Sequence, residues 1–141
     1  MEDKGTFDFG RDLIYTSQPT RCSLTVEAMC EGVRLGHNFM AVEVSKNSDG
    51  SYTILEGNHR TAAHCIEKRP LDYIVLGEFD CIVKSYRVEE EIPGGVDYLR
   101  LANSLVHLPK HIAERFCKDN GQELFFKELI KCSSSIDICD W

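Results

Sequence analysis

The middle of the chain alternates apolar and polar side chains in the way that β-strands do. Residues 39–45 alternate toward their end, residues 46–50 are rich in turn-forming side chains, and a second alternating run begins at Tyr52. Two such runs around a turn predict a β-hairpin, whose second strand ends at Glu56. A further short strand is expected near residues 12–16.

After the hairpin, the apolar positions change to the spacing of a helix and then to an unbroken apolar run. A helix is expected over residues 58–69, where small side chains allow close packing on the sheet. Its inward side chains are expected to be Ala62, Ala63 and Ile66. Residues 71–76 predict a buried strand, and residues 79–86 alternate as a further strand.

Elsewhere, apolar residues recur three and four positions apart, which is typical of helices with one buried face. Thr25 is expected to cap a helix that ends at Gly36. Three helices are expected near the end of the chain: one capped by Asp97, one with Pro109 in its first turn, and one over residues 122–132. The side chains expected to face the core are Val26, Met29, Cys30, Val33, Leu101, Leu105, Leu108, Leu124, Phe125 and Leu129.

Together these elements predict an α/β (α+β) chain with a small mixed sheet, built around the hairpin and flanked by helices. Residues 1–95 are expected to form the sheet-containing domain. Residues 96–141 are expected to form a helical extension that packs on it within one compact unit. The acidic residues 89–95 predict a solvated loop, and residues 133–141 a short edge strand or a docking segment.

The second strand of the hairpin passes through Gly57 directly into a helix, an arrangement that suits anion binding. The first N–H groups of a helix have no partner within it, and the helix dipole places positive potential at the same end. Arg60, in the first turn, adds a forked cation that suits phosphate. The sequence therefore predicts a phosphate site at this turn.

Residues 55–60 have the sequence Leu-Glu-Gly-Asn-His-Arg and are followed by Thr61 and two alanines. This stretch resembles the second signature box of the ParB/sulfiredoxin superfamily, in which a glycine turn and basic residues open a helix with paired alanines. Residues 18–21, Gln-Pro-Thr-Arg, are similar to the family's Pro-Arg first box, and the resemblance covers roughly residues 14–80. It implies a ParB/sulfiredoxin-like domain that binds nucleotide phosphates at the second box, beside the first.

The resemblance and the chemistry of the side chains together indicate which residues are expected to bind nucleotide phosphate. Arg21 belongs to the first box, and its alternative role is that of a solvated loop arginine. His59 is also a candidate catalytic residue that donates to a phosphate, with a buried structural imidazole as the alternative. The residues predicted to bind nucleotide phosphate are Gly57, Asn58, His59, Arg60, Thr61 and Arg21.

Glu56 is the candidate catalytic carboxylate and the candidate Mg²⁺ ligand. A carboxylate beside bound phosphates can hold a divalent cation or accept a proton from a substrate hydroxyl. The alternative is that Glu56 pairs with Arg60 or caps the helix that follows.

The function that these residues favour is nucleotide phosphoryl chemistry, of the NTP-hydrolysis or small-molecule-kinase type, with ATP, ADP or CTP and with Mg²⁺. The expected partners are the nucleotide and a small-molecule acceptor or a protein. Turnover is left open: the alternative is a non-enzymatic nucleotide-responsive regulator, or a DNA-associated module of the partition or nuclease type. Sulfiredoxin-type reduction is not expected, because Asn58 occupies the position of that enzyme's nucleophilic cysteine.

The net charge narrows the choice of partners. With 16 Lys and Arg against 23 Asp and Glu, the formal charge is −7, and long-range repulsion opposes binding to DNA. No run of Lys or Arg offsets this repulsion, so only weak, non-selective duplex binding is expected. No apolar run approaches the length of a membrane span, so we expect a cytoplasmic protein without a signal peptide or membrane anchor.

The cysteines and histidines do not predict a metal centre. The seven cysteines include no Cys-x-x-Cys pair and are expected to be reduced thiols. His107 and His111 have a spacing that would suggest zinc on a continuous helix, but Pro109 interrupts that helix. His59 and His64 do not share a helical face.

Overall fold

The computed structural model describes residues 3–17, 21–37, 39–79, 86–88 and 93–132. The strands are β1 (Asp3–Phe7), β2 (Ile14–Thr16), β3 (Arg21–Cys22), β4 (Val42–Lys46), β5 (Tyr52–Glu56), β6 (Leu71–Glu78), β7 (Tyr86–Arg87) and β8 (Pro93–Gly94). The helices are α1 (Ser23–Arg34), α2 (Asn58–Glu67), α3 (Tyr98–Leu105), α4 (Lys110–Asp119) and α5 (Glu123–Cys132). In order along the chain, the first two helices lie among the strands and the last three follow them.

The β4–β5 hairpin lies at the centre of a six-stranded sheet of order β1-β6-β4-β5-β2-β7. β4 pairs antiparallel with β5 and parallel with β6, and β5 pairs parallel with β2. β1 and β7 pair antiparallel at the two edges, and β3 and β8 form a separate two-stranded ribbon. The sheet is therefore mixed, which confirms the predicted α+β class and the predicted hairpin.

The two helices of the α/β unit pack on each other through small side chains. Ala62 and Ala63 of α2 are 2% and 0% exposed, as predicted, and lie in one cluster with Val26 and Cys30 of α1. Small residues at the contact let the two helix backbones approach closely. The contact fixes the position of α2, and of the turn that precedes it, relative to α1.

The three C-terminal helices form a second hydrophobic core that includes α1. Leu101, Leu105 and Leu108 are buried, as predicted, and lie in one cluster with Ala28 of α1. The predicted cap of α3 is confirmed, since the Asp97 carboxylate accepts the N–H of Arg100 at 3.1 Å. The helical extension thus contacts the α/β unit through α1.

The start of α1 differs from the prediction. Cys22 is the N-cap residue, so the helix begins at Ser23, and the expected cap Thr25 lies inside the first turn with 1% exposure. The chain enters α1 directly from β3, and no residue intervenes between strand and helix. The prediction that Thr25 caps α1 is therefore wrong.

Two side chains expected to face the core are exposed: Ile66 by 52% and Leu124 by 77%. In α2, the buried side chain near the helix end is that of His64, whose Nδ1 lies 3.1 Å from the carbonyl oxygen of Pro70. In α5, Phe126 is buried instead, because Leu124 falls in the first turn of a helix that begins only at Glu123. The predicted inward faces are therefore wrong at Ile66 and Leu124, whereas Ala62 and Ala63 are buried and Phe125 and Leu129 pack against the C-terminal core.

The strand predicted over residues 39–45 begins only at Val42, and β1 was not expected because Asp, Lys, Gly and Thr dominate it. Several predicted segments lie outside the described residues. They are the loop at 18–20, most of the strand at 79–86, most of the acidic loop at 89–95, and the tail at 133–141.

Four of the seven cysteines have described side chains, and all four are free thiols. This confirms the prediction of reduced cysteines for Cys22, Cys30, Cys65 and Cys117. Burial raises the pKa of Cys117 to about 11, which keeps that thiol protonated at neutral pH. None of the helices in the described ranges is long and apolar enough to cross a bilayer.

Leu105→Ala is expected to lower the free energy of unfolding by about 2–5 kcal/mol, because it leaves a cavity at a fully buried position between α1 and the C-terminal helices. Leu124→Ala is the matched control, since Leu124 is 77% exposed and should change stability by less than about 0.5 kcal/mol. Urea unfolding of both variants measures the difference. Equal effects would show that the described C-terminal core does not form.

Candidate functional site

The candidate site is built around Gly57, which joins β5 to α2. Its φ of 107° lies in the left-handed region, which favours glycine. A Cβ at this position would overlap Cγ1 of Val42 on β4. Conformation and close approach therefore both require glycine, and α2 begins with no side-chain cap.

The first two residues of α2 hold the chain on either side of the segment 18–21. Asn58 Oδ1 accepts the N–H of Ser17 at 3.2 Å, and its Nδ2 lies 3.1 Å from the Ser17 hydroxyl. The N–H of Cys22 donates to Nε2 of His59 at 3.2 Å. Ser17 and Cys22, the residues on either side of segment 18–21, thus lie beside the first turn of α2, while residues 18–20 and the side chain of Arg21 are outside the described part of the chain.

His59 is buried, with 5% exposure, and Nε2 acts as a hydrogen-bond acceptor. An imidazole nitrogen that accepts the N–H of Cys22 cannot at the same time donate a hydrogen bond to a phosphate. In this geometry, His59 has the environment of a buried structural imidazole, which was the alternative to a catalytic role. Its predicted catalytic role finds no support from the Nε2 side of the ring.

Thr61 closes the first turn of α2. Its hydroxyl donates to the carbonyl oxygen of Gly57 at 2.8 Å, and the residue is fully buried. This bond fixes the left-handed turn against the helix. Thr61 thus supports the turn, and its hydroxyl hydrogen is directed at the protein backbone.

Arg60 and Glu56 are the charged side chains of the turn. Nη1 of Arg60 donates to the carbonyl oxygens of Met40 at 2.9 Å and Ala41 at 3.4 Å. Nη2 lies 4.0 Å from Oε1 of Glu56, whose side chain is 67% exposed. Glu56 therefore pairs with Arg60, which was its alternative role, but only at the outer distance limit of an ion pair. Its carboxylate remains accessible to solvent.

The backbone N–H groups at the start of α2 are the remaining polar groups of the turn. The backbone N–H groups of Asn58 and Arg60 have no acceptor among the described residues, and the first turn of α2 contains no acidic residue. A helix start with these properties attracts anions. The geometry is suited to anion binding by the backbone, with the Arg60 guanidinium and the Glu56 carboxylate beside it.

The structure contains an aromatic cluster that was not predicted from the sequence. It consists of the rings of His37, Phe39 and His107. The ring centroids of His37 and His107 lie 4.4 Å apart, and Phe39 meets both edge-on at 4.5 and 5.3 Å. Burial lowers the pKa of His37, and burial together with the neighbouring His37 lowers that of His107. Only the tertiary fold joins these residues, and no local pattern could have revealed the cluster.

The predicted break between His107 and His111 is present, because α3 ends at Leu105 and Pro109 is the N-cap residue of α4. Within the described ranges, no three His, Cys, Asp or Glu side chains are grouped so that they could hold a metal ion.

The position of Cys22 beside the candidate site was also not predicted from the sequence. Its Sγ lies 3.4 Å from the backbone N–H of Asp97, at the start of α1 and next to the His59 contact. Burial opposes ionisation of this thiol, but hydrogen bonds from Asp97 and from the first turn of α1 hold its pKa below the usual value. Its place directly after residues 18–21 was the available signal.

The comparisons with protein-family models, with curated proteins and with solved structures return no match. The resemblance to the ParB/sulfiredoxin superfamily therefore depends on the residues quoted above.

Gly57→Ala is expected to destabilise the protein more than Gly50→Ala. Both glycines have positive φ, 107° and 88°, so each alanine carries a backbone cost of about 1–2 kcal/mol. Only at Gly57 does the new methyl group overlap another residue, since nothing lies within 4 Å of a Cβ at Gly50. Urea unfolding measures both variants, and adding Val42→Ala to Gly57→Ala should recover part of the loss. Equal losses for the two glycine variants would contradict the close approach to Val42.

Stability is expected to fall as the pH drops from 7 to 5, in part through the aromatic cluster. The folded-state pKa values of His37 and His107 are lowered, so below about pH 6.5 the unfolded chain binds protons more readily. The two histidines contribute fully to the free energy of unfolding above their unfolded-state pKa. This contribution is lost as the pH falls toward their folded-state pKa. His107→Phe should flatten this dependence, whereas His111→Phe, at an exposed position of α4, should not. Parallel curves of urea midpoint against pH for wild type and His107→Phe would refute the assignment.

Proposed function

We propose that the protein binds a nucleotide, with its phosphates at the amino terminus of α2. The observation that carries this proposal is the pair of contacts Asn58–Ser17 and His59–Cys22, which hold the ends of the segment 18–21 against the glycine turn. In the ParB/sulfiredoxin superfamily, the corresponding boxes are implied to form one nucleotide site. The contacts of the flanking residues Ser17 and Cys22 with the start of α2 support that interpretation.

The physical basis of binding is the backbone of the turn. Gly57 lets the chain turn sharply from β5 into α2, and the N–H groups of Asn58 and Arg60 supply donors at the positive end of the helix dipole. The Arg60 guanidinium neutralises phosphate charge, and Arg21 is proposed to do so from the facing segment. ATP, ADP and CTP are the candidate nucleotides.

Glu56 fits a role in holding Mg²⁺ together with the nucleotide. Mg²⁺ commonly uses one or two protein carboxylates plus phosphate oxygens, and Glu56 is exposed at the turn with Glu43 opposite it across the β4–β5 pair. When bound, the ion supplies neutralisation of phosphate charge. Without that role, Glu56 remains the candidate base toward an acceptor hydroxyl or water.

Two functions follow from such a site, phosphoryl chemistry and nucleotide-responsive regulation without turnover. Phosphoryl transfer requires a group that handles a proton, and Glu56 is the candidate for it. Regulation requires only binding, and the engagement of Nε2 of His59 by the N–H of Cys22 favours this second function, because that nitrogen cannot then donate to a phosphate. Product formation over many equivalents of nucleotide distinguishes enzyme from regulator. We place the protein in the cytoplasm, and its charge of −7 disfavours DNA as the main partner.

A melting screen with ATP, ADP, CTP and GTP, with and without Mg²⁺, tests the binding itself. A nucleotide at about a hundred times its Kd should add about 2.7 kcal/mol to the free energy of unfolding, and therefore several degrees to the Tm. Unchanged Tm values for all four nucleotides at millimolar concentration would overturn the proposed function.

Arg60→Ala is expected to weaken nucleotide binding by about one to two orders of magnitude, because it removes a charge-assisted contact to phosphate. Arg60→Lys should restore part of the affinity, since lysine keeps the charge and loses the fork. Arg34→Ala is the matched control: its guanidinium pairs with Glu31 and Glu67, far along α1 from the turn. Calorimetric titration gives the Kd values, and a Tm for each variant accounts for the lost bonds to Met40 and Ala41. Identical affinities for wild type, Arg60→Ala and Arg60→Lys would exclude a phosphate role for Arg60.

A further inference from the structure

A pocket of about 610 Å³ lies beside the glycine turn, between the α/β unit and the helical extension. The aromatic cluster of His37, Phe39 and His107 forms one wall. Arg60 and Glu56 also line this pocket, and both belong to the turn. Pockets of roughly 300–1,000 Å³ at the junction of two structural units are the usual sites of small ligands. We call this cavity the aromatic pocket.

The aromatic wall suits a planar ring. The His37 and His107 rings are tilted by only 32° to each other, and Phe39 stands at about 80° to both, so the three form a compact block of ring surface. The lowered pKa values of the two histidines keep them uncharged at neutral pH. Neutral imidazole and phenyl rings stack with heteroaromatic rings and offer little to a simple anion.

The polar wall suits a ring that carries both donors and acceptors. Asn103 is exposed on α3, and its amide, which can donate and accept, has no partner among the described residues. Glu43 faces Glu56 across the β4–β5 pair and supplies acceptors for amino groups. A purely aliphatic ligand would make no hydrogen bond with the Asn103 amide or with these carboxylates, whereas a ring with donors and acceptors can bind both.

We propose that the aromatic pocket holds the heteroaromatic base of a nucleotide whose phosphates lie at the α2 turn, an inference that rests on the proposed function. Arg60 connects the two parts, since it is in the first turn of α2 and also lines the pocket. One ligand can therefore span both. The base contacts His107 and Asn103 of the helical extension, so nucleotide binding joins the extension to the α/β unit.

The test compares tripolyphosphate, adenosine and ATP by calorimetric titration of the full chain with Mg²⁺. If both parts of the site exist, ATP should bind at least about tenfold more tightly than tripolyphosphate, the gain expected for one stacked base. His107→Ala should remove that gain and leave tripolyphosphate affinity unchanged. His107→Phe, which keeps a planar ring, should retain most of it, and His111→Ala is the control on the exposed face of α4.

The outcomes separate this inference from the proposed function. Equal binding of ATP and tripolyphosphate by the wild type, or equal ATP binding by wild type and a folded His107→Ala, overturns the base pocket and leaves the phosphate turn standing. Binding of adenosine that His107→Ala abolishes, with no binding of tripolyphosphate, supports the pocket and overturns the phosphate turn. Absence of binding by all three ligands overturns both. If His107→Ala does not fold, as its melting curve would reveal, Asn103→Ala at the exposed polar wall gives the same comparison.

Discussion

The close approach of Gly57 to Val42 is the constraint on which the candidate site depends. Val42 is fully buried at the start of the central strand β4, and Gly57 ends the neighbouring strand. No Cβ fits between them, so this position requires glycine. Glycine also adopts the left-handed conformation through which the chain turns sharply into α2. The direction of α2 follows from this turn, and so do the positions of its first-turn N–H groups. The glycine at this one position thus determines how the start of α2 is oriented against the sheet.

The first-turn side chains serve mainly to hold neighbouring backbone in place. Asn58 and His59 bind the chain at Ser17 and Cys22, and Thr61 binds the carbonyl of Gly57. These bonds hold the turn in place through its buried side chains, and in the proposed site the backbone amides face the ligand. Rigid, preoriented donors bind anions without a cost of reorganisation. The side chains of the proposed binding turn can therefore be almost completely buried, because the proposed contacts come from the backbone.

Local patterns predicted the parts of the fold that local physics decides. The hairpin depends on alternation and turn chemistry at residues 46–50, the α2 start on Gly57, and the α3 cap on Asp97. The exposed Ile66 and Leu124 show where such reasoning fails, since the orientation of a helix face depends on the partner element. The aromatic cluster could not be predicted for the same reason: His37 and His107 are 70 positions apart in sequence, and only the packing of α3 on α1 brings them together.

The surroundings of Arg60 keep a weakly paired cation at the turn of an acidic protein. Its hydrogen bonds go to the carbonyl oxygens of Met40 and Ala41, which fix the guanidinium without cancelling its charge. Among the described residues, the carboxylate within ion-pair distance is that of Glu56, at 4.0 Å and 67% exposed, where solvent screens the attraction. The cation is therefore oriented by neutral groups and only weakly neutralised. The net charge of −7 opposes the approach of anions at long range, whereas the affinity proposed for the turn depends on this local balance of charge.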